Sequence, residues 1–100
     1  MNDSTRKGDP INKIESNLGI LYIVGTPIGN LNDFAPRARS VLKEVSFIAC
    51  EDTRRSGLLM KKFEIKTPLI SFHKHNTKRR IPKLIHSLKE GLNIALISDS

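Results

Sequence analysis

The sequence predicts an α/β fold, an open parallel sheet with flanking helices, on three observations. Four short apolar runs, Ile20–Val24, Phe47–Cys50, Leu69–Phe72 and Ile94–Ile97, have the length and composition of buried strands. They begin roughly every 24 residues, which leaves room for a crossover helix between successive parallel strands. Each run ends in a polar cluster: GTPIGN (Gly25–Asn30), EDTRRSG (Glu51–Gly57), HKHN (His73–Asn76) and SDS (Ser98–Ser100). In an open parallel sheet, ligands bind in the crevice beyond the carboxyl ends of the strands. A chain that places its Gly, Asp, Glu and His residues there, strand after strand, is arranged around a site.

Residues 1–17 are polar, contain Gly8 and Pro10 and lack periodicity, so they read as a disordered leader, with the domain running over 18–100. The first run, continuous in apolar residues, is expected to be a strand buried on both faces. Asn32 or Asp33 is placed to cap the helix that follows, with Pro36 in its first turn and Phe34, Ala38, Val41, Leu42 and Val45 on its inner face. After the second run a helix is expected from Asp52 or Thr53 to about Lys62, with Leu59, Met60 and Phe63 inward and Gly57 weakening its start. Pro68 opens the third run. Ile81, Leu84, Ile85 and Leu88 then follow at i, i+3, i+4, i+7; since Pro82 belongs in a first turn, regular helix is expected from near Arg79. Gly91 suits the position just past its end. An α/β unit normally continues beyond its last strand, so the chain is expected to be the front part of a longer protein, incomplete as a domain.

The chain has 100 residues and a net charge of +7. Residues 54–90 hold eleven Lys/Arg against Glu64 and Glu90, so the whole excess lies in that stretch. A clustered basic surface is the electrostatic footprint of a nucleic-acid partner, although solvated basic faces are also common. One cysteine, Cys50, allows no internal disulfide. No run is long enough to span a membrane and the polar N-terminal segment has no apolar core of a secretory signal, so no membrane partner is expected and the location is cytoplasmic by elimination.

Each ending has a bland and a chemical reading. GTPIGN permits a tight turn and close backbone approach, but it is neither a dinucleotide fingerprint nor a Walker loop. EDTRR sets two carboxylates and two guanidinium groups at a helix start; Asp52 or Thr53 accounts for the cap, and Glu51 is then left over. Arg54 and Arg55 are placed to pair with Glu51 or to hold a phosphate. His73 and His75, two apart, would face the same way on a strand, yet a third ligand is not evident and no metal is assigned. Asp99 can bind ribose hydroxyls or cap the next helix.

LYIVGTPIGNLNDFAPRA (Leu21–Ala38), ACEDTRRSGLL (Ala49–Leu59), SFHKHN (Ser71–Asn76) and ALISDS (Ala95–Ser100) together resemble the N-terminal domain of the ribosomal-RNA-modifying branch of the tetrapyrrole methylase family. The resemblance covers about residues 18–100, in order and with similar spacing. It implies two α/β domains, S-adenosylmethionine as cofactor in the cleft between them, a homodimer at full length, and methylation of the ribose 2′-hydroxyl of a cytidine in 16S ribosomal RNA or the small ribosomal subunit. It places Pro27, Ile28, Asp99 and Ser100 toward the cofactor. Glu51, Asp52 and Arg54 face the reaction, with Glu51 favoured as base and Arg54 positioning a phosphate. Thr53, His73, His75 and Asn76 lie toward the substrate, and the basic cluster Lys78, Arg79 and Arg80 adds RNA affinity. The family's last motif normally continues D-A-G-T-P or D-S-G-T-P; here the sequence stops at Asp99–Ser100, so this stretch alone is expected to be inactive. Two other readings stand beside it: a methylase of a small corrinoid, and a non-enzymatic basic module that only binds nucleic acid.

Overall fold

The computed structural model describes residues 17–27 and 30–99. The leader expected over residues 1–17 lies, all but Asn17, outside the described residues, as do Ile28 and Ser100. The elements, in order, are β1 (Leu21–Thr26), a 3-10 turn (Leu31–Asp33), α1 (Pro36–Glu44), β2 (Phe47–Cys50), α2 (Thr53–Lys62), β3 (Leu69–Ser71), α3 (Thr77–Lys89) and β4 (Ile94–Asp99).

The four strands form one sheet in the order β1-β4-β2-β3, and every pairing is parallel. The chain crosses from β1 to β2 to β3 in one direction, then returns to insert β4 between β1 and β2. Parallel crossovers are right-handed, so reversing direction puts the crossover helix on the opposite face. The packing shows that division. Val41 and Leu42 of α1 and Leu59 and Met60 of α2 share a core with Val24, Ile48, Cys50, Ala95 and Ile97. Leu84 and Leu88 of α3 pack instead with Phe47, Ile70 and Ile94.

Burial follows from this arrangement. All four residues of β2 are buried, because the strand is central and covered on both faces. β1 departs from the expected two-sided burial: Tyr22, Val24 and Thr26 are buried or half-buried, whereas Leu21 and Ile23 are exposed, Ile23 at 63%. Among the described residues β1 has a neighbouring strand on one side only, and α3 packs over Phe47 and Ile94 of the inner strands.

Local chemistry sets the helix ends. Neither Asn32 nor Asp33 caps α1. Asn30 caps the 3-10 turn, its Oδ1 accepting from Asn32 N–H at 3.0 Å. Pro36 holds Ala35 in the extended region (φ −59°, ψ 138°), so α1 starts at the proline itself with no side-chain cap. Asp52 is the cap of α2. α3 begins at Thr77 rather than near Arg79, leaving Pro82 inside it. The helix tolerates this because Arg80 N–H already bonds Asn76 C=O at 2.9 Å, and the carbonyl that Pro82 leaves unpaired, that of Lys78, belongs to an exposed residue on a solvated face. Gly91 follows with φ +87°, the left-handed turn that ends the helix.

Gly25, expected in a turn, lies inside β1, and a Cβ there would meet nothing within 4 Å. Gly19 is the opposite case: its N–H bonds Leu88 C=O at 2.8 Å, and a Cβ would lie 1.8 Å from the Leu92 carbonyl oxygen. Gly19→Ala is therefore expected to cost more than about 2 kcal/mol, because backbone has to move, whereas Gly25→Ala stays within about 0.5 kcal/mol. Urea unfolding of the two variants beside the parent checks the contrast.

Candidate active site

The departure of α2 to one face and α3 to the other opens a crevice between the carboxyl ends of β2 and β3, as expected where adjacent connections diverge. Two sequence clusters meet there. An open cleft of about 630 Å³ is lined by Glu51, Asp52, Thr53 and Arg54 from the β2 end and by Ser71, His73, Lys74 and His75 from the β3 end. A smaller recess beside it is lined by Glu51, Phe72, Leu96, Ile97 and Ser98. Glu51 belongs to both, because Ala49 pairs with Leu96 and the two strands run on side by side.

The two neighbouring acids have different surroundings. Asp52 Oδ1 accepts from Arg54 N–H at 3.0 Å and Arg55 N–H at 3.2 Å, two of the donors that every helix start leaves unpaired. Glu51 precedes the cap, is exposed, and has no hydrogen-bond or ion-pair partner among the described residues. The Arg54 guanidinium is exposed and also without a side-chain partner among them, so of the two roles open to it, pairing with Glu51 or holding a phosphate, the pair is not made. Thr53 is half-buried in the same cleft.

The histidine motif is a turn rather than a strand. β3 ends at Ser71, and Asn76 N–H bonds back to His73 C=O at 3.0 Å. The expected same-side presentation of His73 and His75 is replaced by a local contact: His75 N–H donates to His73 Nδ1 at 3.1 Å, and the rings meet edge-on with centroids 5.8 Å apart. The other ring nitrogen, Nε2, lies 3.3 Å from Asn76 Nδ2, so backbone and side-chain amides of the same turn flank the ring on both of its nitrogens. Asn76 is 6% exposed and faces inward: its Oδ1 accepts from His73 N–H at 2.9 Å and its Nδ2 donates to Ser71 Oγ at 3.0 Å and Ser71 C=O at 3.3 Å. Arg80 turns the same way, Nε donating to Ser71 C=O and Nη2 to Ser71 Oγ, each at 3.1 Å. Asn76 and Arg80 thus hold the turn together, unlike Lys78 and Arg79, which are exposed without partners among the described residues. Sequence reasoning singled out His73, His75, Asn76 and the basic cluster of this segment and passed over Ser71, whose only signal was a small polar residue closing an apolar run.

Pro27 is half-buried at the end of β1, in a recess with Thr26, Leu31, Arg55, Ser56 and Leu59. Thr26 is paired in register with Asp99, so β1 and β4 end side by side, one strand away from Glu51. Ile28 and Ser100, the other two cofactor candidates, fall outside the described residues.

Residues 20–99 match the family model of the Tetrapyrrole (Corrin/Porphyrin) Methylases. The chain belongs to this family. Within it, the chain is similar to proteins named "Ribosomal RNA small subunit methyltransferase I". It is 53% identical to the one from Synechocystis sp. over 83% of this chain and 30% of the relative. It is 52% identical to that of Bacillus subtilis over 86% and 30%, and 51% identical to that of Thermotoga maritima over 83% and 37%. The chain therefore spans about a third of the length of the curated relatives it matches.

The cap geometry separates a structural acid from an available one. Asp52→Ala should destabilise by about 1 kcal/mol, while Asp52→Asn, an equally good cap, should change stability by only a few tenths. Thermal unfolding of both variants tests the assignment, which fails if Asn is as harmful as Ala.

Proposed function

We propose that the full-length protein is an S-adenosylmethionine-dependent methyltransferase that acts on small-subunit (16S) ribosomal RNA, at the ribose 2′-hydroxyl of a cytidine. The names of the relatives support the substrate class. The observation that carries the chemistry is Glu51, a carboxylate without a partner among the described residues, at the boundary between the wide cleft of β2 and β3 and the recess reaching β4.

The strand ends suit the cofactor. The recess combines an aromatic ring (Phe72), aliphatic side chains (Leu96, Ile97) and polar groups (Ser98, Glu51), the mixed lining that a nucleoside takes. Gly25, in register with Ser98, leaves open space where a side chain would stand. Pro27 and Asp99, at the adjoining ends of β1 and β4, would hold it. When bound, S-adenosylmethionine supplies an electrophilic methyl group. A ribose hydroxyl is a weak nucleophile at neutral pH and must lose its proton as the new bond forms. Glu51 can accept that proton, since nothing described competes for its oxygens. Asp52 is engaged in the helix cap, and His73 Nδ1 already accepts from His75 N–H, so both are poorer bases. Arg54, beside Glu51, aligns a phosphate, and alignment is the main requirement of an in-line transfer.

The family's description keeps a small corrinoid as a second substrate class. The decisive measurement is mass spectrometry of 16S ribosomal RNA from cells lacking the gene: one ribose methyl mark should disappear and return with the intact gene, and an unchanged set of marks refutes the proposal. In the full-length enzyme, Glu51→Gln is expected to lower kcat by about 10²- to 10⁴-fold, with S-adenosylmethionine affinity by titration calorimetry unchanged. Replacing Lys78 and Arg79 with Ala should weaken RNA binding and reduce the slope of log affinity against log salt by about 0.7 for each phosphate no longer neutralised. Arg80 is left out of that variant because its guanidinium holds Ser71.

A further inference from the structure

The Ser71 hydroxyl has an unusual hydrogen-bond inventory. A serine oxygen has two lone pairs and one hydrogen. Both lone pairs are taken, one by Asn76 Nδ2 at 3.0 Å and the other by Arg80 Nη2 at 3.1 Å. The same two side chains also hold the Ser71 carbonyl. The hydroxyl hydrogen has no acceptor among the described residues. Ser71 is thus held as a donor only, and the guanidinium bonded to its oxygen strengthens that donor. It stands in the wall of the cleft that also contains Arg54 and Lys74, two cationic side chains without partners among the described residues.

We propose that Ser71 contacts the RNA, its hydroxyl donating to a non-bridging phosphate oxygen beside the reacting nucleotide, with Asn76 and Arg80 as the residues that position it. A fixed donor selects a group that only accepts. A phosphate oxygen is such a group, and the cations sharing the cleft favour an acceptor that is negatively charged. Arg54 supplies charge from the β2 side while Ser71 supplies direction from the β3 side, so a phosphodiester bridging the two would be fixed in position as well as neutralised. The buried Asn76 and inward Arg80 are then explained together: they occupy the acceptor capacity of Ser71 so that its hydrogen faces the ligand. This rests on the RNA substrate proposed for the full-length protein.

The test uses full-length protein and a fragment of 16S RNA, with sulfur replacing the non-bridging oxygens of the phosphates around the modified nucleotide one at a time. One such replacement should weaken binding to the parent protein, since sulfur accepts poorly. Ser71→Ala should weaken binding of unmodified RNA about tenfold, leave the salt slope unchanged because no charge is removed, and abolish the penalty of that one sulfur. Ser71→Thr, which keeps the hydroxyl, should restore most of the affinity. Thermal unfolding and S-adenosylmethionine titration on the same variants separate a disturbed turn from a missing hydrogen bond to RNA. A sulfur penalty that is equal in parent and Ser71→Ala overturns the proposal, and so does a Ser71→Ala protein that binds unmodified RNA as well as the parent. Loss of cofactor affinity in place of RNA affinity overturns it too, by putting the acceptor on the cofactor. The sulfur series on the parent protein needs no variant to fold, and an absence of sulfur penalty at every position also refutes the hydrogen bond. If the parent protein fails to bind the RNA fragment at all, it is the substrate reading that falls.

Discussion

Insertion of β4 between β1 and β2 governs the rest of the molecule. Once the chain reverses direction after β3, the right-handed crossover sends α3 to the face opposite α1 and α2. That separation opens the crevice between the β2 and β3 ends. The same insertion brings the carboxyl end of β4 against both the β1 end, where Thr26 pairs with Asp99, and the β2 end, where Ala49 pairs with Leu96. A strand order of β1-β2-β3-β4 would have left Glu51 with no neighbour from β4 and α3 on the same face as the others. The site is therefore a consequence of topology before it is a consequence of any single side chain.

Within that geometry, helix capping decides which acid is free. The start of α2 presents unpaired N–H donors, and the residue immediately before Thr53 is the one whose carboxylate can reach back to them. Asp52 takes that role through one oxygen, and its extended backbone (φ −122°, ψ 104°) turns the chain so that Glu51 falls on the cleft rim. A pair of adjacent acids thus becomes one anchor and one available group, with no charged partner required to tell them apart.

The sequence made the strands legible because their apolar runs are short and bounded by turn residues, and it made α2 legible because Asp52 is a strong local cap. It was less informative where tertiary placement overrules pattern. Ile20–Val24 reads as a strand covered on both faces, yet β1 is covered on one, since which strand becomes the edge depends on where β4 inserts. Pro82 reads as a first-turn residue, but the bond from Arg80 N–H to Asn76 C=O starts α3 earlier, and the proline's cost falls on a solvated face. Among the candidate residues, charge was a poor guide to availability. Arg80 and Asn76 look like a cation and a polar group offered to a ligand, and the structure directs both onto Ser71. No local rule predicts that, because it requires the β3 end and the first turn of α3 to be close in space.

The two walls of the cleft consequently differ in kind. The α2 wall carries its groups on exposed side chains, Glu51 and Arg54, that are free to adjust to a ligand. The β3 wall, the exposed Lys74 apart, is stiff: Ser71, His73, Asn76, Thr77 and Arg80 bond to one another, with Thr77 Oγ donating to His73 C=O at 2.7 Å. Ordering a long charged side chain costs up to about 2 kcal/mol of rotamer freedom, a cost that the β3 wall has already met in folding. A fixed hydroxyl donor at Ser71 opposite adjustable charges is the arrangement that the proposed RNA substrate would use. Charge without a fixed direction, as on Arg54 and Lys74, adds attraction that salt screens. Direction without much charge, as at Ser71, is less sensitive to salt. The cleft combines both, and the fixed part is the one that the net charge of the chain does not reveal.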